Sequence, residues 1–314
     1  MRVIEHLERA ERTLFSFEII PPPRGKTVRE IIEMVEQVAP LQPPFIDVTS
    51  HMAEASYEEQ PDGTIRRRVR KKRPGSLSIC GIIQNRFGLD TVAHLLCTGF
   101  TREETEDACI ELNYLGIHNV LAVRGDQSNY RKSMVVGRSR NTYAEDLVAQ
   151  LVDLRQARYL DEIANSEPID FCIGVGGYPE THLESPNVKT DLMYLKRKVD
   201  AGADYIVTQM CFDNAAYLSF VENCRAAGIT VPIIPGLKIL DNVRQISSLP
   251  KHFHISLPDD LVDEVLAAPD HAREIGLRWG RRQVEDLMNK GVPCLHFYVM
   301  NDAGDVAEMI RNLG

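Results

Sequence analysis

The chain lacks an apolar run long enough to cross a membrane. It has 314 residues and 44% hydrophobic content, but charged residues interrupt every apolar stretch well before the roughly 20 residues that a spanning helix needs. The N-terminal segment, MRVIEHLERAERTLF, carries charges at helical spacing and has no continuous apolar core, so it does not match a secretory signal. We therefore expect a cytoplasmic protein with no membrane partner.

Features of nucleic-acid or metal binding are also scarce. The formal net charge is −9, whereas a nucleic-acid binder needs a basic footprint. The seven cysteines are odd in number, widely spaced and without C-x-x-C, which favours buried free thiols over disulfides or zinc. His252 and His254 are close in sequence, but no third ligand stands near them. We predict a surface loop there and no metal site.

Two nucleotide-binding motifs are missing. No P-loop occurs, and the glycine-rich GVGGYPE departs from G-x-G-x-x-G at Pro179. An open Rossmann sheet is the structural alternative for an α/β chain, and the absence of its fingerprint weakens that interpretation.

What the sequence does contain is an alternation of short apolar runs with longer amphipathic ones. Predicted strands cover 13–20, 44–50, 91–97, 119–126, 170–180, 204–212, 231–237 and 294–300. Predicted helices lie between them, and glycine often follows the helix end. Eight β-α units in a chain of this length favour parallel strands in a (β/α)8 TIM barrel, an α/β fold. We expect one catalytic domain over residues 1–314.

Active sites of such barrels lie at the carboxyl ends of the strands. The first strand, in FSFEIIPPP, ends in Glu18, and strand alternation places this acid on the face opposite Phe17 and Ile19. A carboxyl group in an apolar pocket has a raised pKa and can act as a general acid. The alternative is that Glu18 pairs with an arginine and only closes the barrel.

Polar residues also end most of the other strands, while strand 231–237 contributes no charge. They are Asp47, Thr49, Ser50, His51, His94, Arg124, Gly125, Asp126, Tyr178, Glu180, Thr208, Gln209, His296, Tyr298 and Asn301. Each has a structural alternative. Asp126 could cap a turn, and His94 could be a satisfied core histidine. The basic segment RRRVRKKR, residues 66–73, is predicted to be a solvated loop, with attraction of an anionic tail or an acidic partner as the alternative.

Nine segments follow one another in the order of a known family. They are FSFEIIPPP, FIDVTS, AHLLC, NVLAVRGD, YAEDLV, GGYPETH, DLMYLKRKVDAGADYIVTQ, GITVPIIPGL and LHFYVMN. In these the chain resembles the methylenetetrahydrofolate reductase family over nearly its whole length. The resemblance implies a TIM barrel that binds FAD. NADH or NADPH reduces the flavin and leaves, and the folate then takes its place and receives the hydride.

The resemblance also implies roles for particular residues. Glu18 becomes the general acid that opens the folate ring, and Asp126 lies beside the flavin and the pterin. Gln209 binds the folate, with Gln245 and Tyr298 as weaker candidates. FAD contacts are implied for Thr49, His94, Arg124, Gly125, Asp126, Tyr143, Ala144, Tyr178, His182, Asp191 and Lys198. Arg124 and Lys198 suit the FAD pyrophosphate.

Departures from the family pattern occur in three places: Ser50-His51-Met52, Met210-Cys211 and Asp302. The last two bear on folate or nicotinamide binding more than on the reaction. Two other interpretations stay open: a reductase supplied by a partner's electron carrier, and a silent barrel that binds folate or flavin as a scaffold. We expect a homo-oligomer.

Overall fold

A computed structural model of the protein describes residues 1–125, 132, 135–300 and 302–313. Eight parallel strands close into a barrel surrounded by helices, which confirms the predicted TIM barrel. In chain order the elements are α1 (Val3–Glu8), β1 (Leu14–Ile19), α2 (Arg29–Val38), β2 (Ile46–Val48), β3 (Glu54–Glu59), β4 (Ile65–Arg70), α3 (Ser76–Phe87), β5 (Thr91–Leu96), α4 (Arg102–Tyr114), β6 (Asn119–Val123), α5 (Ala144–Arg155), β7 (Cys172–Gly177), α6 (Val188–Asp200), β8 (Tyr205–Met210), α7 (Asn214–Ala226), β9 (Ile233–Leu237), α8 (Gln245–Phe253), α9 (Asp259–Ala267), α10 (Ala272–Asn289), β10 (Cys294–Met300) and α11 (Gly304–Arg311). Short 3₁₀ turns occupy Ala39–Leu41 and Pro269–His271.

Strand alternation decides which residues face the barrel interior. The closed order is β1-β10-β9-β8-β7-β6-β5-β2. On β1, Phe17 and Ile19 are fully buried in the layer between strands and helices, so Glu18 faces inward. It pairs in register with Asp47 on β2 and with Tyr298 on β10. The register therefore brings polar side chains together at the carboxyl ends of the strands.

The opposite end of the barrel is filled. Helix α1 packs Val3 against Phe45, Val92 and Tyr205 in a separate apolar cluster. Gly174 makes room for the Tyr205 ring, because a Cβ atom there would lie 2.4 Å from the ring. The site is therefore to be sought at the mouth, where the strands end.

Part of the basic segment that is predicted to be a loop forms a strand instead, at residues 66–70. Strands β3 and β4 form a two-stranded antiparallel sheet outside the barrel, with Glu54 opposite Arg70. The turn is closed by the amide of Gln60, which donates to the carbonyl of Thr64 at 2.8 Å. Gly63, in this turn, has φ +78°, a conformation that favours glycine. The basic segment is thus largely a strand, and its β4 part is exposed.

Three further expectations concern the whole chain. All seven cysteines are buried free thiols, as predicted. His252 lies in the last turn of α8 and His254 ends that helix with φ +54°, so the predicted loop begins later. In the part of the chain that the structure describes, no helix combines the length and apolarity needed to span a bilayer.

Candidate active site

Two carboxyl groups and one imidazole meet at the barrel mouth. The Nε2 atom of His94 on β5 lies 3.2 Å from Oδ2 of Asp47 on β2. The same nitrogen lies 3.6 Å from Oε2 of Glu18 on β1. The Asp47 side chain is fully buried, and the exposed fraction of the Glu18 side chain is 12%. Among the described residues the basic neighbour of Glu18 is thus a histidine and not an arginine.

Burial and charge shift the pKa values of this cluster. Burial raises the pKa of Glu18 to about 7, although the nearby His94 lowers it. For His94, burial acts to lower the pKa, but the hydrogen bond to Asp47 and the charge of Glu18 outweigh it, so that its pKa is raised. A substantial fraction of Glu18 is therefore protonated near neutral pH, as a general acid requires.

Further polar groups lie deeper in the barrel. Ser16 Oγ and His296 Nδ1 are 2.9 Å apart, and both residues are fully buried. Burial lowers the pKa of His296, which keeps this ring neutral. Asp47 Oδ1, His296 Nε2 and the Tyr205 hydroxyl have no hydrogen-bond partner within the described residues. Within the described residues, the interior below Glu18 is thus polar but, apart from Asp47 and His94, uncharged.

The predicted folate-binding residues occupy different positions around the mouth. The Tyr298 hydroxyl donates to the carbonyl of Thr208 at 2.6 Å. Its ring lies against Gly236, where a Cβ atom would come within 2.5 Å of it. Gln209 is half-buried on β8, and its Oε1 accepts from the amide of Met210 at 2.9 Å. Gln245, at the start of α8, accepts from the amide of Asp241 at 2.9 Å and so holds its own loop.

A cavity of about 420 Å³ opens between the ends of β6 and β7 and helices α5 and α6. Seven of the predicted FAD residues line it: Arg124, Tyr143, Ala144, Tyr178, His182, Asp191 and Lys198. Thr49, His94 and Gly125 are not among its lining residues. Asp126 lies outside the described residues, and so does Asn301. The structure therefore brings most of the predicted set into one cavity.

The lining of this cavity contains three basic side chains, Arg124, Arg197 and Lys198, and three acidic ones, Glu145, Glu184 and Asp191. Burial lowers the pKa of Lys198 to about 8, with Asp191 and Glu145 opposing the shift. Its ammonium group donates to the carbonyl of Gly176 at 2.5 Å. Arg124 is held by Glu184, with Nη1 and Oε2 2.5 Å apart. The amino end of α5 also lines the cavity, and its free amides favour an anion.

The wall of this cavity leaves room at Gly176 for a flat ring or for a ligand that lies close to the backbone. A Cβ atom at Gly176 would meet only the Tyr178 hydroxyl, at 3.8 Å, so the glycine keeps open space in the wall. The Tyr178 and His182 rings pack edge to face, with centroids 4.6 Å apart. Asp191 fixes the loop before α6, because its two oxygens accept from the His182 amide and the Ser185 hydroxyl.

Two charged residues at the mouth have no role in the sequence-based prediction. Asp47 was noted only as a strand end, although it holds His94. Lys238 follows β9 directly, and the exposed fraction of its side chain is 10%. Its ion-pair partner among the described residues is Asp241, at 3.9 Å. The signal was the lysine one position beyond a strand whose end was placed at Leu237.

Four of the residues that depart from the family pattern have structural roles. Met210 and Cys211 are each 2% exposed and pack in the core. Met52 fills the space that Gly99 leaves, because a Cβ atom there would lie 2.8 Å from the methionine Cβ. Asp302 Oδ1 accepts from the amide of Gly304 at the start of α11.

Comparison with known proteins identifies one family. The family profile described as methylenetetrahydrofolate reductase matches residues 2–314. "Methylenetetrahydrofolate reductase (NADH) 1" of Zea mays is 30% identical over all of this chain and 51% of its own length. "5,10-methylenetetrahydrofolate reductase" of Salmonella typhimurium is 30% identical, over 95% of this chain and 90% of the relative. The chain thus spans about half the length of the plant relative and most of the bacterial one.

A solved structure is similar in fold. It is described as an uncharacterized protein from Clostridium thermocellum that binds two copies of 5-methyl-5,6,7,8-tetrahydrofolic acid. Its TM-score is 0.64, and the match covers 99% of this chain and 98% of the other at 13% identity. At this identity the likeness shows the barrel fold alone.

Proposed function

The chain belongs to the methylenetetrahydrofolate reductase family, and from this premise we propose that it reduces 5,10-methylenetetrahydrofolate to 5-methyltetrahydrofolate. NADH or NADPH supplies the electrons and FAD carries them. The observation that supports this best is Glu18, a carboxyl group at the barrel mouth with a pKa of about 7. Ring opening of the folate requires an acid of this kind.

The cavity beside β6 and β7 fits the proposed cofactor. Arg124 and Lys198 would hold the pyrophosphate of FAD, together with the amides at the start of α5. The open wall at Gly176 would admit a close-lying part of the cofactor. When bound, FAD supplies the hydride chemistry that side chains lack. Asp126 remains our proposed neighbour of the flavin and the pterin, on the basis of the family resemblance.

Glu18 performs the acid step in this proposal. Its proton moves to the bridging nitrogen of the folate, the ring opens, and a reactive iminium forms that can accept a hydride. Tyr298, fixed by its bond to Thr208, presents one wall of the mouth. Gln209 on β8, which β9 separates from the strand of Tyr298, is our candidate for holding the pterin. Burial raises the pKa of Glu18 and keeps a proton available at neutral pH.

The test is an assay of the purified protein supplied with FAD. We expect a yellow protein with non-covalent FAD that oxidises NADH or NADPH in a manner dependent on methylenetetrahydrofolate. Protein that holds FMN or no flavin after reconstitution would contradict the cofactor assignment. Folate turnover that needs an added electron-carrier protein would favour the partner-supplied alternative, and binding without turnover would favour a scaffold.

A cavity variant makes the cofactor test specific. Lys198→Met removes the buried cation, and we expect its FAD dissociation constant to rise about tenfold or more, which is about 1.4 kcal/mol or more. Lys196→Met is the matched control, because Lys196 lies on the same helix but pairs with Asp200 on the exposed side. Flavin titration monitored by fluorescence measures both. Equal losses in the two variants would mean that α6 is perturbed and the cavity is not probed.

A further inference from the structure

We propose that Asp47 is a positioning residue for the acid: it binds the charge of His94 and thereby leaves Glu18 in its protonated form. This inference rests on the proposed function, since it concerns the acid step. It assigns a role to a fully buried carboxylate on β2 that contacts neither the cavity nor solvent. The inference starts from the order of the three groups, with His94 between Asp47 and Glu18.

The geometry ranks the two carboxyl groups as partners of the imidazole. His94 Nε2 lies 3.2 Å from Asp47, within hydrogen-bond range, and 3.6 Å from Glu18, outside it. One N–H group cannot satisfy both acids equally, so the proton on Nε2 is directed to Asp47. Glu18 then faces an imidazolium whose charge already has a counter-ion.

Charge balance fixes the protonation pattern. A buried cluster with unbalanced charge is costly, so the favoured state of the three groups is neutral overall. With Asp47 ionised and His94 protonated, the cluster is already neutral, and Glu18 must keep its proton. Without the charge on Asp47, a neutral cluster is also reached when His94 is protonated and Glu18 is ionised. An isolated Glu–His pair favours that ion pair, and it would remove the acid.

The groups that face this cluster from other elements do not alter the balance. On β10, His296 is neutral because burial lowers its pKa, while burial raises the pKa of Tyr298 and of Cys294. On β8 and α3, burial likewise raises the pKa of Tyr205 and of Cys80. Within the described residues, Asp47 and His94 are therefore the charged neighbours that decide the state of Glu18.

In each turnover the proton of Glu18 passes to the folate. The O–H bond of Glu18 breaks and an N–H bond forms on the folate, which leaves Glu18 as a carboxylate beside His94. After the product leaves, Glu18 takes a proton from water at the mouth. Asp47 and His94 exchange no proton with the substrate, and their charges are the same before and after.

The direct test measures the protonation of Glu18 in the full-length protein without folate. Infrared difference spectra show the carbonyl band of a protonated carboxyl group, and Glu18→Gln identifies the band that belongs to Glu18. We expect Asp47→Asn to move the titration of this band at least about one pH unit lower. The double variant Asp47→Asn/His94→Gln should reverse the shift, because no imidazolium remains.

Two further variants keep the test decisive. Thr91→Val is the matched control, since Thr91 is also fully buried on β5 but carries no charge; it should leave the band in place. If Asp47→Asn does not fold, His94→Gln alone is informative, and it should move the titration of Glu18 to higher pH. An unchanged or raised titration in folded Asp47→Asn, or a lowered one in His94→Gln, would overturn the proposal.

The second measurement is the rate at which the folate is reduced. At pH 7, Asp47→Asn should slow reduction of the folate at least about fivefold and recover towards pH 6, while reduction by the nicotinamide stays within about twofold. If the protein does not reduce this folate at all, the proposed function fails, but the band shifts still decide the role of Asp47. If turnover is present and the band does not shift, only the role of Asp47 is wrong.

Discussion

The same residue type behaves in opposite ways at the two ends of the barrel. Glu5 on α1 is bonded by the backbone and side chain of Arg2, and these bonds lower its pKa. Glu18 at the mouth is nearly buried, and burial raises its pKa to about 7. A carboxylate with a donor on each side is structural, whereas one without donors is available for acid chemistry.

Replacement of Glu18 should separate the two halves of the proposed reaction. Glu18→Gln keeps size and hydrogen bonding but cannot donate a proton as an acid. We expect the reduced flavin to be reoxidised by methylenetetrahydrofolate at least about a hundredfold more slowly. Bleaching of the flavin by NADH or NADPH should stay near the wild-type rate, because that hydride transfer needs no acid. Stopped-flow absorbance measures each half separately.

The control for that experiment is Glu5→Gln, which removes a carboxylate far from the mouth. It should change neither half-reaction. Equal slowing of both halves in Glu18→Gln would mean that this residue positions the flavin or supports the barrel. No slowing in either half would show that another group is the acid.

At the scale of single residues, the sequence predicts that Glu18 points into the barrel, but it does not predict that His94 lies beside it. Alternation in FSFEI is sufficient to point Glu18 inward, because Phe17 and Ile19 must face the helices. Its contact with His94 depends on how β1, β2 and β5 align around the barrel. That alignment is set by barrel closure, and no local pattern in the sequence encodes it.

The hairpin of β3 and β4 stands where composition predicts a loop. By composition alone, seven basic residues in eight predict a solvated loop. The available signal was Pro61-Asp62-Gly63 between two alternating segments, which is typical of a hairpin turn. Composition was weighed above turn chemistry, and the exposed charges concealed the strand.

The hairpin is anchored beside the segment that follows Glu18. Arg73 donates to the carbonyl of Pro21 at 2.6 Å, and the amide of Arg24 donates to the carbonyl of Lys72 at 2.9 Å. Glu58 and Glu54 pair with Arg68 and Lys72, so only part of the charge is balanced within the hairpin. A basic surface at this position suits an anion that extends from the mouth, such as the polyglutamate tail of a folate.

Removal of this charge tests the idea. We change Arg66, Arg67, Arg68 and Arg70 to serine. The KM for a polyglutamylated folate should rise and the KM for the monoglutamate should not, because only the tail reaches the hairpin. The difference should shrink as salt is added, since exposed charges are screened over roughly 10 Å at 0.1 M. Steady-state kinetics with both substrates provides the measurement.

A matched variant separates local from overall charge. Four exposed arginines on α10 and α11 are replaced by serine: Arg273, Arg278, Arg281 and Arg311. This control removes the same charge and should leave the KM ratio of the two folates unchanged. Equal effects of the hairpin variant on both substrates would remove the polyglutamate interpretation.

For the molecule as a whole, the barrel could be predicted because eight β-α units leave few other closed arrangements. The N-terminal helix that seals the bottom could not, since α1 has only six residues and gains its stability from packing on the barrel. A homo-oligomer remains a prediction, and sedimentation of the purified protein would measure it.

The acid at the mouth should also affect the stability of the whole fold. Its pKa is about 7 in the folded chain, above the ordinary value of 4.5, so the folded state binds this proton more tightly than the unfolded chain. That contribution is complete below about pH 4.5 and is lost as the pH rises through 7. Glu18→Gln has no such loss. The difference between its unfolding free energy and that of the wild type should therefore shift in favour of the variant, by on the order of 3 kcal/mol, from pH 5 to pH 8.

Urea denaturation at the two pH values measures this difference. Glu5→Gln serves as the control, because a lowered pKa produces changes only at more acidic pH, and its offset from wild type should be the same at pH 5 and 8. A constant offset for Glu18→Gln as well would show that its carboxyl group titrates normally in the folded protein.

The pairing of β1 with β10 has a consequence for how the protein is made. Ser16 and His296, bonded to each other across this pair, are 280 positions apart. A ribosome releases β1 early and must synthesise all other barrel strands before its partner emerges. Glu18 therefore leaves the ribosome among the first barrel residues but obtains its complete pocket among the last. A stalled or truncated nascent chain that lacks β10 contains Glu18 but not the complete pocket whose burial raises the pKa of this residue.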